Sequence, residues 1–152
     1  RETVRFFGKI NGMNDRDIDD RINEIFNILG MNAFGDVRVD KLSTGMKQKL
    51  SIARAIIHNP PVLIFDEPTV GLDVITARVV IEYIKEFRKQ GKCIIFSTHH
   101  MHEAEKLCDT IAIIHLGKLL SAGSLEKLKR DVRLDDLEEI FFKLIETENN
   151  NK

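Results

Sequence analysis

The sequence contains little cysteine, proline or tyrosine, no tryptophan and no long apolar run. Among its 152 residues there are 2 cysteines, 3 prolines and 1 tyrosine. Cys93 and Cys108 are too few and too widely separated for a CxxC motif, so we expect both to be reduced thiols of a cytosolic protein. No apolar stretch approaches the roughly 18 residues that cross a bilayer, and no basic segment followed by an apolar one opens the chain. The chain itself is therefore not expected to span a membrane.

An excess of charge of either sign is also absent. Lys and Arg number 23 against 24 Asp and Glu, which gives a formal net charge of −1. Nucleic acid is not an expected partner, because its binding depends on a strong basic field. With 43% hydrophobic and 31% charged residues, the composition is typical of a soluble globular domain that can bury a core. Arg1 is no natural initiator, so we expect the sequence to begin within a longer protein.

Hydrophobic periodicity predicts an α/β fold. Amphipathic helices are predicted over 3–12 and 15–29, and a third helix is predicted between the caps at Ser43-Thr44-Gly45 and the stop at Asn59-Pro60-Pro61. Strands and helices then alternate: strand 62–66, helix 74–90, strand 92–97, helix 101–108, strands 110–115 and 118–122, and helices 124–130 and 135–147. Strands separated by helices of this length indicate a mainly parallel sheet.

The predicted helix 74–90 has its own start, face and stop signals. Asp73 suits the N-cap and Gly91 the position after the last turn. The predicted buried stripe of this helix consists of Ile75, Val79, Tyr83 and Phe87.

The segment Val62-Leu63-Ile64-Phe65-Asp66-Glu67-Pro68 joins an unbroken apolar run to two adjacent carboxylates. Such a run is typical of a parallel strand covered on both faces, and Pro68 ends the strand because it has no backbone N–H. Ligands of open α/β sheets bind beyond the carboxyl ends of the strands, where Asp66 and Glu67 are expected. A nucleotide-hydrolysing site would use the first carboxylate for Mg²⁺ and the second as a general base. The tripeptide Asp66-Glu67-Pro68 also suits a plain polar turn after a core strand. The strand alone does not decide between a catalytic site and such a turn.

Four short patterns follow one another in a fixed order. They are Leu42-Ser43-Thr44-Gly45-Met46-Lys47-Gln48-Lys49, Ile64-Phe65-Asp66-Glu67-Pro68-Thr69, Gly71-Leu72-Asp73 and Ser97-Thr98-His99. Together they resemble the signature motif, the Walker B motif with its catalytic Glu, the D-loop and the switch histidine of ABC transporter nucleotide-binding domains. The resemblance implies a partial P-loop NTPase (RecA-like) core with the helical subdomain of ABC proteins. The signature variant resembles exporters of the ABC-2 and sodium-extrusion type.

The resemblance implies that Ser43, Thr44 and Gly45 bind ATP held by the opposite subunit of a dimer. A helix N-terminus preceded by small residues suits an anion, because its free N–H groups and dipole are positive, although plain helix capping also accounts for Ser43. The signature commonly reads Ser-Gly-Gly-Gln in this family, so Met46 here replaces a polar amide.

The resemblance also assigns the catalytic roles. It implies that Asp66 holds Mg²⁺, Glu67 activates water and His99 contacts the γ-phosphate of ATP. The resemblance further implies that Asp73, in the D-loop, belongs to the nucleotide-binding residues and couples the two ATP sites. The neighbouring histidines do not favour zinc, because the residues from His99 to Glu103 match neither H-E-x-x-H nor H-x-x-E-H.

The 152 residues contain no G-x-x-x-x-G-K-[ST], the P-loop that cradles phosphate. We therefore interpret the chain as the later part of the family's domain, with the P-loop upstream, and expect it not to hydrolyse ATP alone. The predicted organisation is a helical subdomain with the signature over 1–58, the C-terminal part of the ATPase core over 59–130, and a C-terminal helix with a frayed tail over 131–152.

Three hypotheses about function follow. In the first, the full-length protein hydrolyses ATP to drive solute export through a transmembrane permease subunit, and pairs with a second nucleotide-binding domain. It would then be cytoplasmic and peripheral on the inner face of the cell membrane. The second is a non-transport ABC ATPase, which the near-zero charge disfavours. The third is a truncated interaction or regulatory module without catalysis, which the absent P-loop favours if the coding region begins at Arg1.

Overall fold

The computed structural model describes residues 1–150, and the chain divides into two compact units, Arg1–Ser97 and Thr98–Lys152. The first unit consists of α1 (Glu2–Ile10), α2 (Asp15–Ile28), α3 (Thr44–Ile56), β1 (Val62–Asp66), α4 (Val74–Lys89) and β2 (Cys93–Ser97), with 3-10 turns at Asn32–Phe34 and Val39–Lys41. The second consists of α5 (Met101–Leu107), β3 (Ile111–His115), β4 (Lys118–Gly123), α6 (Leu125–Val132) and α7 (Leu137–Asn150). Every predicted helix and strand is present. Within residues 1–150, no helix combines the length and the apolar character that a membrane span requires.

Helix α1 packs against both α2 and α3, and α2 contributes a fully buried aromatic ring. Phe26 of α2 has no exposed surface, and Val4 and Ile18 are equally buried. Gly8 lets α1 approach α2 closely, because a Cβ atom there would lie 2.7 Å from Ile18 Cγ1. Gly35 does the same beside Phe26, where a Cβ atom would lie 2.7 Å from Cε2 of the ring. The helical part therefore has a close-packed core in which small residues fit large ones.

Helix α4 buries Tyr83 and Phe87 as predicted, but not the first half of the predicted stripe. The residues it buries are Val80, Tyr83, Ile84 and Phe87, at the i, i+3, i+4, i+7 spacing of one helix face. Ile75 is 78% exposed, so its assignment to the buried stripe was wrong, and Val79 is only half-buried. The predicted stripe used four-residue steps, and each such step rotates roughly 40° around a helix of about 3.6 residues per turn. Over three steps that drift carries Ile75 away from the face of Phe87.

Strands β1 and β2 pair in parallel and in step, from Val62 opposite Cys93 to Asp66 opposite Ser97. Leu63 and Phe65 are buried on one face, whereas Ile64 is 73% and Ile95 57% exposed on the other. The prediction that β1 is covered on both faces was therefore wrong for the part of the chain that the structure describes. An apolar run makes both faces suited to burial, but only packed neighbours bury them.

The second unit is built on an antiparallel hairpin. β3 and β4 pair antiparallel, and the two turn residues Leu116 and Gly117 both have positive φ, 47° and 76°. That combination is the type I′ turn, whose twist matches the strands. Strand β3 and helices α5, α6 and α7 together form the core of this unit, whose buried residues are Ala104, Ile111, Ile113, Leu128, Leu137 and Ile140.

Helix α7 is longer than predicted. It continues to Asn150 instead of ending at 147, so residues 148–150 of the predicted frayed tail are helical. Lys118 Nζ lies 2.5 Å from Glu148 Oε1, and this ion pair ties the last turn to β4. The final two residues of that predicted tail lie outside the described residues.

Candidate functional site

The carboxyl ends of β1 and β2 bring three polar groups together. Asp66 ends β1, Ser97 ends β2, and the two are opposite each other in the parallel register. The Ser97 hydroxyl donates to Asp66 Oδ1 at 2.5 Å and accepts the backbone N–H of Glu67 at 3.0 Å. A single serine side chain therefore bridges the predicted metal-binding residue Asp66 and the predicted general base Glu67. This role of Ser97 was missed in the sequence, although two strands of equal length that end at Asp66 and Ser97 were a usable signal.

Glu67 has a backbone conformation that L-residues seldom adopt. Its φ is +47°, in the left-handed region, and Pro68 follows it. The chain then turns, because the Val70 N–H donates to the Glu67 carbonyl at 3.2 Å. A non-glycine residue in this region costs of the order of 1 kcal/mol or more, and such residues concentrate at functional sites. The strain is therefore located at the residue to which the sequence assigns the general base.

The signature segment starts helix α3. Ser43 is the N-cap, and its hydroxyl accepts the Met46 N–H at 3.3 Å. Thr44 and Gly45 form the first turn, which contains no acidic side chain. No carboxylate of the first turn itself therefore opposes the helix dipole and the first-turn N–H groups, which favours an anion at this helix end.

The same helix end lies beside the predicted D-loop. A Cβ atom on Gly45 would lie 3.7 Å from Leu72 Cδ2, and one on Gly71 would lie 3.6 Å from Thr44 Cγ2. One turn further along α3, the Gln48 side chain donates to the Pro68 carbonyl at 3.1 Å. The structure thus brings the signature and the predicted D-loop together within the first unit. Gln48 is a second contact that was not predicted from the sequence.

Asp73 is the N-cap of α4, as predicted. Its Oδ1 accepts the N–H groups of Ile75 and Thr76, each at 3.0 Å, and Oδ2 accepts the Thr76 hydroxyl at 2.7 Å. The Thr76 bonds, followed by that of Ile75, favour the ionised carboxylate and lower the pKa of Asp73 below its ordinary value. The capping role is thus observed, and coupling between two nucleotide sites stays a prediction.

We expect Asp73→Ala to lower the thermal midpoint by a few degrees at neutral pH, since it removes an N-cap. Because the folded-state pKa is depressed, the charge-dependent part of this stabilisation is present above the carboxyl's unfolded pKa and is lost as pH falls through the folded pKa. The gap between wild type and Asp73→Ala should therefore narrow on acidification. Differential scanning calorimetry at several pH values measures it.

Asp73→Asn is the matched control for that prediction, because asparagine caps helices as well as aspartate does but does not titrate. The Asp73→Asn variant should keep most of the wild-type stability at neutral pH. It should lack the part of that stability that depends on the charge of Asp73 and therefore on pH. A gap between wild type and Asp73→Ala that stays constant from neutral to acid pH would contradict the assigned role of the charged cap.

His99 lies in the second unit, exposed, two residues after the end of β2. Its ring centroid is 4.2 Å from that of His100, whose Nδ1 is 3.3 Å from Glu103 Oε1. The other Glu103 oxygen accepts the Thr98 hydroxyl at 2.9 Å. Across residues 1–150, no three His, Cys, Asp or Glu side chains gather as metal ligands. The role of His99 toward a phosphate stays a prediction.

Comparison with known proteins gives one consistent result. Residues 1–70 match the sequence model of a family described as "ABC transporter". The chain is 40% identical over 141 residues to the ABC transporter ATP-binding protein NatA of Bacillus subtilis (strain 168), with 93% of this chain and 57% of that protein covered. It is also 40% identical over 124 residues to the Nod factor export ATP-binding protein I of Rhizobium sp. (strain N33), with 82% of this chain and 41% of that protein covered.

A solved structure described as the ATP-binding subunit of an ABC transporter has the same fold. The TM-score is 0.87 at 29% identity, and the match covers 95% of this chain and 61% of that one. The chain thus spans roughly half the length of the relatives it matches, between 41% and 61% in these three comparisons.

Proposed function

Because this chain belongs to the family of ABC transporter ATP-binding proteins, we propose that it is part of the subunit that binds and hydrolyses ATP to drive solute export. The observation that carries the proposal is the Asp66–Glu67 pair at the carboxyl end of β1, held by Ser97 of the parallel neighbour. We propose export as the direction of transport because the names of relatives such as the Nod factor export ATP-binding protein I include export. The cargo depends on the membrane subunit.

Asp66 is the residue we propose to hold Mg²⁺. Mg²⁺ in nucleotide sites keeps several waters and needs only one or two protein carboxylates beside the phosphates, so a single exposed Asp fits. The Ser97 hydroxyl donates to Oδ1 of this exposed carboxylate. When bound, the ion would neutralise charge that develops on the phosphate oxygens.

Glu67 is the proposed general base. It would accept a proton from the water that attacks the γ-phosphate, which is a step a carboxylate next to the metal-binding residue can perform. His99 is proposed to contact the same phosphate and to stabilise the charge that spreads over its oxygens. This role rests on the Ser97-Thr98-His99 pattern of the family.

Ser43, Thr44 and Gly45 are proposed to bind ATP held by a second nucleotide-binding domain. The support is the exposed N-terminus of α3, which carries a serine cap and no acidic side chain in its first turn. Asp73 is proposed to join the nucleotide-binding set through the loop beside it. A transmembrane permease would be the second partner, which would place the protein in the cytoplasm, peripheral to the inner face of the cell membrane.

The P-loop is proposed to lie in a segment before Arg1, in what we call the P-loop form of the protein. We expect the P-loop form to hydrolyse ATP. The 152-residue chain should give no turnover above background, because it contains no G-x-x-x-x-G-K-[ST] to hold the phosphates. Phosphate release at saturating ATP and Mg²⁺ measures both. Turnover by the 152-residue chain at the rate of the P-loop form would overturn the assignment, and so would an inactive P-loop form.

A further inference from the structure

We propose that Ser97 is a positioning residue for ATP hydrolysis, which holds the Glu67 backbone and fixes the Asp66 carboxylate through one hydroxyl group. The inference rests on the proposed function and goes beyond it by assigning a third residue to the site. All three residues lie in the first unit, at the carboxyl ends of the paired strands β1 and β2.

The Ser97 hydroxyl uses both of its hydrogen-bonding capacities. As a donor it contacts Asp66 Oδ1 at 2.5 Å, a distance typical of a hydroxyl bonded to a charged carboxylate. As an acceptor it binds the Glu67 N–H at 3.0 Å. A hydroxyl has one proton and two lone pairs, so serine or threonine satisfies both contacts, whereas alanine satisfies neither.

The acceptor contact acts on the strained residue. Glu67 has φ +47°, and a conformation of this cost persists only where the surroundings determine it. Its N–H is bound across the strand pair by Ser97 and its carbonyl accepts the Val70 N–H at 3.2 Å. Both peptide groups of Glu67 are therefore fixed, and the direction of its side chain depends on them.

The donor contact acts on the proposed metal-binding residue. By donating to Oδ1, the Ser97 hydroxyl restricts the rotation of the Asp66 carboxylate. Groups that orient metal-binding residues in this way affect metal affinity or activity by roughly 10–100-fold when removed. Ser97 thus links the orientation of the metal-binding carboxylate to that of the neighbouring base.

The test uses Ser97→Ala in the P-loop form, with Ser97→Thr as the conservative variant. The first readout is hydrogen exchange of the Glu67 amide by NMR, without nucleotide or Mg²⁺. We expect Ser97→Ala to speed this exchange about 5-fold, the effect of one lost hydrogen bond. The second readout is the Mg²⁺ concentration that gives half-maximal ATP turnover, which should rise roughly 10-fold. Ser97→Thr should stay within about 2-fold of wild type in both, because it keeps the hydroxyl.

Cys93→Ala is the matched control. Cys93 lies at the other end of the same strand and is also exposed, so its removal should change neither readout. If Ser97→Ala does not fold, Ser97→Cys replaces it, because a thiol is a weak donor and acceptor of similar size and should change both readouts in the same direction.

Wild-type exchange at Glu67 and wild-type Mg²⁺ dependence in Ser97→Ala would overturn the inference. Equal changes in Cys93→Ala would do so too, because they would show a general effect on the strand. The failure of the proposed function is distinguishable, since it would appear as an inactive wild-type P-loop form. The exchange readout needs no turnover and would still report whether Ser97 holds Glu67.

Discussion

Replacing Glu67 by glutamine is expected to lower ATP turnover by the P-loop form roughly 10²–10⁴-fold, the usual contribution of a positioned general base. Glutamine has nearly the same shape, and the backbone N–H that binds Ser97 remains. The bound state should therefore form normally, and ATP affinity should change little. Phosphate release under single-turnover conditions measures the chemical step, and equilibrium binding of ATP measures the affinity.

Glu82→Gln is the control, because it makes the same chemical change at a residue outside the proposed site. Glu82 is an exposed residue of α4 whose carboxylate pairs with Lys85 at 2.8 Å. Exposed pairs of this kind contribute little, so turnover should remain at the wild-type level. Unchanged turnover in Glu67→Gln would show that the base is misassigned. A loss of ATP binding in the same variant would show a structural role instead.

Replacing Phe26 by alanine is expected to destabilise the protein by about 3–5 kcal/mol, the usual cost of deleting a fully buried aromatic ring. Phe26 has no exposed surface, and Gly35 packs so closely on the ring that a Cβ atom at Gly35 would lie 2.7 Å from it. The neighbours cannot close over the space without moving the turn that contains Gly35. Urea denaturation of the P-loop form, followed by far-UV circular dichroism, measures the loss.

Phe6→Ala is the control within the same helical part. Phe6 is 60% exposed on α1 and contacts Phe7 edge-to-face at a centroid distance of 5.8 Å. The expected loss is below about 1 kcal/mol, the contribution of one aromatic pair. Equal losses in Phe6→Ala and Phe26→Ala would contradict the core described above.

Local sequence signals were sufficient to predict the helices and strands and to indicate the family. The run from Val62 to Phe65 predicted β1, and the Asn-Pro-Pro stop and the cap at Ser43 predicted the limits of α3. These signals act over a few residues, through hydrogen bonds and backbone angles that each residue sets for itself. The spacing of the four motifs then indicated the family, because few sequences place those residues in that order.

Burial was harder to predict from the sequence, because burial depends on the partner as well as on the residue. Ile64 and Ile75 are as apolar as their neighbours, and both are largely exposed in the described structure. Leu63 and Phe65 are buried by packing on one face only. An apolar pattern therefore showed which faces are suited to contact, without showing which contacts form.

The sequence by itself determined the order of helices and strands, the caps at Ser43 and Asp73, and the placing of Asp66 and Glu67 at a strand end. Only the tertiary structure decided that Ser97 bridges Asp66 and Glu67, because the parallel register of β1 and β2 sets which residues face each other across the ends. It also decided that the signature helix lies beside the loop around Gly71. Residues far apart in the chain meet only when elements pack, and the free energy of that packing depends on both partners together.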